Sequence, residues 1–280
     1  MSIMDAQPVV EVAERPGLGV GGEPRPSEDV VSVLPNAVLL LDGATSLRPG
    51  QRSGGWYASL LAGQLAGRLT GYPEMDLADL LAAAIRAVAR DHGLTPGESP
   101  SSTVAIARWD DEVVEGLVLA DSPIAVETDA GVRPLADDRI ANLRRSGPGY
   151  RARLRAGGGY GADHVRALQS SAVTVGRYRN AEGGFWVAEA DPDAAFEARR
   201  ATWPRAEVRR LLLASDGVSC GVDDYGVFAD WAAVFALAED KGANAVLDAV
   251  RAAEESDPHG ERWPRPKQHD DQALAIVSFR

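Results

Sequence analysis

The 280-residue chain contains one cysteine, Cys220, and only two lysines, Lys241 and Lys267. A lone cysteine excludes an intramolecular disulfide and fits a reducing compartment. The scarcity of lysine beside many arginines carries no function by itself. No uninterrupted apolar run approaches the ~20 residues of a membrane span. The N-terminus, MSIMDAQPVVEVAERP, has Asp5 and Pro8 where a secretory signal needs a basic start and an apolar core. These absences point to a cytoplasmic protein without a membrane partner. Positive charge is short too. The formal net charge of -12 disfavours nucleic acid as a general partner, because both surfaces would be anionic. A local cationic or metal-filled pocket for an anion is still compatible with it.

Apolar residues are abundant by contrast. They make up 45% of the chain, enough for a sizeable core, and the length fits one domain spanning residues 1–280. PVVEVAE (8–14), VVSVL (30–34) and AVLLL (37–41) read as strands, the last two separated by the turn signal Pro35-Asn36. From Ser53 the period becomes helical. A second helix is framed by Asp76 as N-cap and Gly93 as stop. Strands return at 102–109, 113–120, 123–128, 185–190 and 208–214. VFADWAAVFALAED and GANAVLDAVRAAEE read as helices before a last strand at 272–279. Between Leu135 and Gly184 the pattern is irregular, with clustered arginines and weak helical periodicity. The order predicts an α+β fold with sheets layered between helices.

The chemistry lies where apolar strands stop. AVLLL ends in Asp42-Gly43, GLVLA in Asp121-Ser122, and LLLA in Ser215-Asp216-Gly217. ALAIV is preceded by His269-Asp270-Asp271. Any one Asp-Gly is an ordinary turn dipeptide. Several acids delivered to strand ends are a different matter, because converging carboxylates repel unless a cation sits among them. Hard divalent ions such as Mg²⁺ or Mn²⁺ prefer such oxygen donors. Glycine after the acid permits a sharp turn or a close approach.

Taken in order, SED (27–29), LLLDGAT (39–45), SSTVAIA (101–107), VLADSPIAV (118–126), LLLASDGV (211–218) and HDDQALAIV (269–277) resemble the motifs of the type 2C, metal-dependent Ser/Thr protein phosphatases. The resemblance implies a four-layer α-β-β-α sandwich of two mainly antiparallel sheets flanked by helices. It implies two Mn²⁺ or Mg²⁺ ions, with a third as an option. Asp42 then bridges the ions, the Gly43 carbonyl binds one of them, and Asp216 and Asp270 are further ligands. Glu28 and Asp29 hold ion-bound waters, and Asp121 joins Asp216 at the third position. The implied reaction is hydrolysis of a phosphomonoester by a hydroxide that bridges the two ions. The ions neutralise the phosphoryl oxygens and lower the pKa of the bridging water. The implied substrate is a phosphorylated protein, the product of a Ser/Thr kinase.

The chain departs from that pattern in two places. The arginine that grips phosphate is displaced by one position: Pro24 stands in its place and Arg25 follows. Arg25 is the candidate substrate contact, with Arg48 and Arg52 as substitutes that read more simply as solvated charges. Many relatives carry a histidine after the Asp-Gly; here it is Ala44. His269 is expected to point away from Asp270, and His92, His164 and His259 to serve surface or packing roles. Cys220 reads as a small buried residue, and Trp56, Trp186 and Trp231 as core. Leu135–Gly184 occupies the place of a mobile flap, where Arg144, Arg145, Arg151, Arg153 and Arg155 either receive phosphoprotein acids or form a solvated or docking surface. Two further functions stay open: a catalytically weak phosphatase-like module that binds a phosphoprotein or other partner, and a phosphatase for small molecules.

Overall fold

In a computed structural model the described residues are 7–47, 50–145 and 149–279. They form two five-stranded antiparallel sheets. One has the order β1 (Val9–Arg15), β10 (Gln272–Ser278), β9 (Val208–Ala214), β6 (Ile124–Thr128) and β7 (Gly131–Leu135). The other runs β2 (Asp29–Leu34), β3 (Ala37–Asp42), β4 (Val104–Trp109), β5 (Val113–Leu119) and β8 (Arg199–Pro204).

The central strands carry continuous apolar runs because both of their faces are covered. In β3, Val38 and Leu40 face the other sheet, while Leu39 and Leu41 face α1 (Gly54–Gly71) and α2 (Leu77–His92). In β9, Leu211 and Leu213 join the core between the sheets. Leu212 and Ala214 turn towards α7 (Trp231–Lys241) and α8 (Ala243–Ser256). The period of two thus sorts alternate residues into the inner and outer cores, and the four-layer α-β-β-α sandwich follows. Asp76 caps α2 by accepting from Ala78 N at 2.8 Å. Gly93 closes it in the left-handed region at φ 62°.

The structure differs from the sequence reading at the margins. β7 and β8 escape the apolar pattern because these two half-exposed edge strands carry arginine and proline, whereas the edge strands β1 and β2 keep their valines. FWVAEA (185–190) forms no strand. It contributes only isolated bridges, Phe185 to Arg179 and Ala188 to Ser102. The Asn180 side chain takes over the pairing, accepting from Val187 N at 2.9 Å and donating to Val187 O at 3.1 Å. The irregular stretch is largely helical, as α3 (Arg139–Arg145), α4 (Gly149–Arg155) and α5 (Ala162–Gly176). Among the tryptophans, Trp231 is buried, whereas Trp56 and Trp186 are only partly covered. The Arg52 guanidinium lies 4.3 Å from the Trp56 ring centre. No helix among the described residues is long and apolar enough to cross a membrane.

Candidate metal centre

β2 and β3 place Asp29 directly opposite Asp42 in the antiparallel register. Like charges facing each other across a ladder are unfavourable without compensation. The other sheet adds Asp270, just ahead of β10, and Asp216, at the start of α6 (Asp216–Asp223) after β9. Asp121 follows β5 by way of Ala120, a buried alanine in the left-handed region at φ 69°. That conformation costs about 1 kcal/mol or more for a residue with a Cβ. It turns the chain at the strand end.

Asp42, Gly43, Asp121, Asp216 and Asp270 line one cleft of about 320 Å³, together with Lys267. α3–α5 and the segment after them supply its apolar wall through Ile140, Tyr150, Leu168, Val175 and Phe185. A neighbouring groove of about 390 Å³ shares Asp121, Asp216 and Asp270. Hydroxyls brace the floor. Thr103 Oγ1 lies 2.6 Å from Ser122 Oγ and accepts from Asp42 N at 3.0 Å, tying the Asp42 and Asp121 strand ends together. Neither hydroxyl stands out in the sequence.

Electrostatics divide the acids into two kinds. Burial raises the Asp29 carboxyl well above the ordinary carboxylate range. The nearby Ser215 hydroxyl works against this, while Asp271, Asp270 and Asp216 push it further up. Neither Asp29 oxygen has a partner in hydrogen-bonding geometry. Asp42 is raised by burial, then by Asp29 and Asp270; Lys267 opposes. Asp270 and Asp271, in contrast, have protein cations. Lys267 Nζ lies 2.5 Å from Asp270 Oδ1 and 3.5 Å from Asp271 Oδ2. Burial would lower the pKa of the Lys267 ammonium, yet Asp270 and Asp271 hold it above the ordinary lysine value. Asp271 also pairs with Arg25 and accepts from Gly17 N at 2.8 Å.

Glu28 and Arg25 stand apart from the cleft lining. Arg25 faces inward and pairs with both Glu28 and Asp271. Glu28 accepts from Thr45 Oγ1 at 3.0 Å and from Gly55 N, at the start of α1, at 3.4 Å. Arg48 lies outside the described residues, as do the side chains of Arg144 and Arg145. Arg153 donates to the Gly158 and Gly159 carbonyls of its own loop. His269 Nδ1 lies 3.0 Å from Glu254 of α8, and His164 is buried. Cys220 is half-buried rather than enclosed, with its thiol pushed up by desolvation and by Glu254.

The two glycines act through close approach. A Cβ on Gly43 would lie 2.3 Å from the Gly54 carbonyl carbon, and one on Gly217 would lie 1.9 Å from the Asp271 carbonyl oxygen. They allow β3 to meet the α1 N-terminus and α6 to meet the start of β10.

The donor set suits a hard divalent cation. Two buried, unpartnered Asp29 oxygens beside a raised Asp42 are the carboxylate environment that such an ion stabilises. Among the described residues, no three His, Cys, Asp or Glu side chains are gathered closely enough to hold one ion as they stand. Lys267, missed in the sequence reading, is the protein cation paired with Asp270 in the cleft. Its rarity and its position three residues before Asp270 are the available signals.

No family model and no curated relative matches this sequence. Solved structures do. The serine/threonine phosphatase Stp1 from Staphylococcus aureus has a TM-score of 0.59 at 12% identity, covering 100% of this chain and 98% of that one. The Mycobacterium tuberculosis serine/threonine phosphatase PstP/Ppp gives 0.57 at 16%, covering 98% and 99%. The PstP catalytic domain in complex with two manganese ions gives 0.54 at 19%, covering 97% and 98%. The chain shares their fold over nearly its whole length.

Proposed function

We propose that the chain is a metal-dependent phosphatase of phosphoserine and phosphothreonine in proteins, built as one domain. The observation that carries this reading is the convergence of aspartates from both sheets, Asp42, Asp121, Asp216 and Asp270, at one cleft in that fold, with Asp29 buried opposite Asp42. Asp42, Asp216, Asp270 and the Gly43 carbonyl would hold Mn²⁺ or Mg²⁺, with Glu28 and Asp29 behind them and Asp121 at a further position. Cations bound there would neutralise phosphoryl oxygens and supply hydroxide near neutral pH. The reaction consumes water and releases inorganic phosphate and the serine or threonine hydroxyl.

The chain's own residues set the terms. The apolar wall around Ile140 and Phe185 limits water about the phosphate and strengthens every charge interaction on the floor. Ala44 brings no proton to the leaving oxygen. His269 and His164 are engaged elsewhere, with Glu254 and with the Pro266 carbonyl. Leaving groups that depart as stable anions are therefore favoured. Arg25 reaches a phosphate only by releasing Glu28 or Asp271. The pairing of Lys267 and Arg25 with site acids favours a second reading, a catalytically weak module that binds a phosphoprotein. A phosphatase for a small phosphorylated molecule is served by the same acids. The deciding experiment assays the full chain on p-nitrophenyl phosphate, a phosphothreonine peptide and small phosphate esters, with Mn²⁺ and with EDTA. Mn²⁺-dependent release of phosphate from the peptide is expected. Turnover that survives EDTA would reject the metal mechanism, and no turnover with Mn²⁺ would favour the binding module.

A further inference from the structure

A buried lysine among aspartates is costly to build, so the way Lys267 is held is informative. Its side chain is 7% exposed, with Nζ 2.5 Å from Asp270 Oδ1 and 3.5 Å from Asp271 Oδ2. It lines the same cleft as Asp42, Asp121 and Asp216, and its charge acts on Asp42. It is not carried on a loose tail. The segment leading to it is knotted around Arg265, whose guanidinium donates to the Glu254, Asp257, Trp263 and Gln268 carbonyls at 2.8–3.0 Å. Asp257 accepts from Glu261 N, Arg262 N and Trp263 N within the same segment. On the other side, His164 Nε2 of α5 donates to the Pro266 carbonyl at 2.8 Å. The backbone is therefore anchored on both sides of Lys267, at the Pro266 carbonyl by His164 and at the Gln268 carbonyl by Arg265.

We propose that the Lys267 ammonium takes the place of one divalent cation in this cluster, so that the wild-type chain binds a single tight ion. An ammonium at hydrogen-bond distance supplies fixed positive charge to Asp270 and Asp271. A second dication close to it would meet repulsion in a site of low dielectric. Asp29, whose oxygens lack partners, marks the part of the cluster still requiring an added charge. The assignment rests on reading the site as a divalent-cation centre. It adds that one of the two expected positions is filled from within.

The test counts ions on the full chain. Mn²⁺ is titrated calorimetrically at fixed pH into wild type, Lys267→Met and Lys267→Arg, with free-ion electron paramagnetic resonance as a second count. One equivalent is expected for wild type and for Lys267→Arg, and two for Lys267→Met. Two tight equivalents in wild type overturn the proposal even if Lys267→Met fails to fold. An unchanged count in a folded Lys267→Met overturns it as well. Ion counts are read separately from turnover. A wild type that hydrolyses phosphopeptide with two bound ions rejects this inference alone. A single tight ion without hydrolysis rejects the proposed function and leaves this inference standing.

Discussion

The two sheets bring unequal halves to one site. From β2 and β3 come Asp29 and Asp42, paired across the ladder and both raised, first of all by burial. Ahead of β10 stand Asp270 and Asp271, which have Lys267 and Arg25 beside them. The difference teaches that a carboxylate cluster need not be neutralised in one way throughout. One half is compensated from within the chain; the other is the half that the proposed function leaves to an added cation. Asp42 should therefore reveal itself in rate, and the compensated half in stability.

The largest effect is expected at Asp42. Asp42→Asn should lower Mn²⁺-dependent hydrolysis of p-nitrophenyl phosphate by about 10²–10³-fold, the usual result of losing one group that stabilises developing charge. Far-ultraviolet circular dichroism should stay unchanged. A fully active Asp42→Asn protein would break the comparison at its root. On the compensated side, Arg25→Ala leaves Glu28 and Asp271 without their shared guanidinium. A destabilisation of about 2 kcal/mol in urea is expected, below the cost of a fully buried pair because Arg25 is 17% exposed. If instead KM for phosphopeptide rises at unchanged stability, Arg25 belongs to the phosphate and not to the frame.

Asp29 should behave in the opposite sense. Its folded pKa is raised, so the folded, metal-free chain binds the extra proton. That contribution is full below the ordinary value of 3.8 and is lost as pH climbs through the raised one. Asn at this position cannot ionise. Asp29→Asn should then raise the melting temperature in EDTA at pH 7 by a few degrees, roughly 2–4 °C for each kcal/mol recovered. As pH rises above the ordinary carboxylate value, the melting temperature of Asp29→Asn should also gain on that of wild type. A lower melting temperature for this variant would mean that Asp29 has a partner after all. The smallest effect belongs to Ala120. Ala120→Gly removes a left-handed Cβ while adding unfolded-state entropy, so stability should change by less than about 1 kcal/mol. Ala120→Val in the same denaturation series should cost visibly more.

The residues that carried the fold in the sequence are those whose physics is local. β3, β4, β9 and β10 each carry an apolar run of four or five residues because each lies between a sheet and a helix layer, and both coverings leave the same mark. Asp76 and Gly93 bound α2 through hydrogen bonds and a backbone angle that depend on near neighbours. The strand-end aspartates were legible too, because each interrupts an apolar run. Two of the four edge strands, β7 and β8, were not, since they carry arginine, proline or glycine where the edge strands β1 and β2 keep a run of valines.

What only tertiary structure decided is which charge meets which. Arg25 lies 246 residues from Asp271, and the two become partners because the loop after β1 packs on the entry to β10. Lys267 and Asp270 are close in sequence. Burial beside Asp42, which lies on the other sheet, is what makes that lysine part of the site. Sequence determines which side chains can ionise and which segments must be covered. The distance and dielectric between two charges exist only once the sheets have packed, and those two quantities decide whether a carboxylate is paired from within or requires an ion.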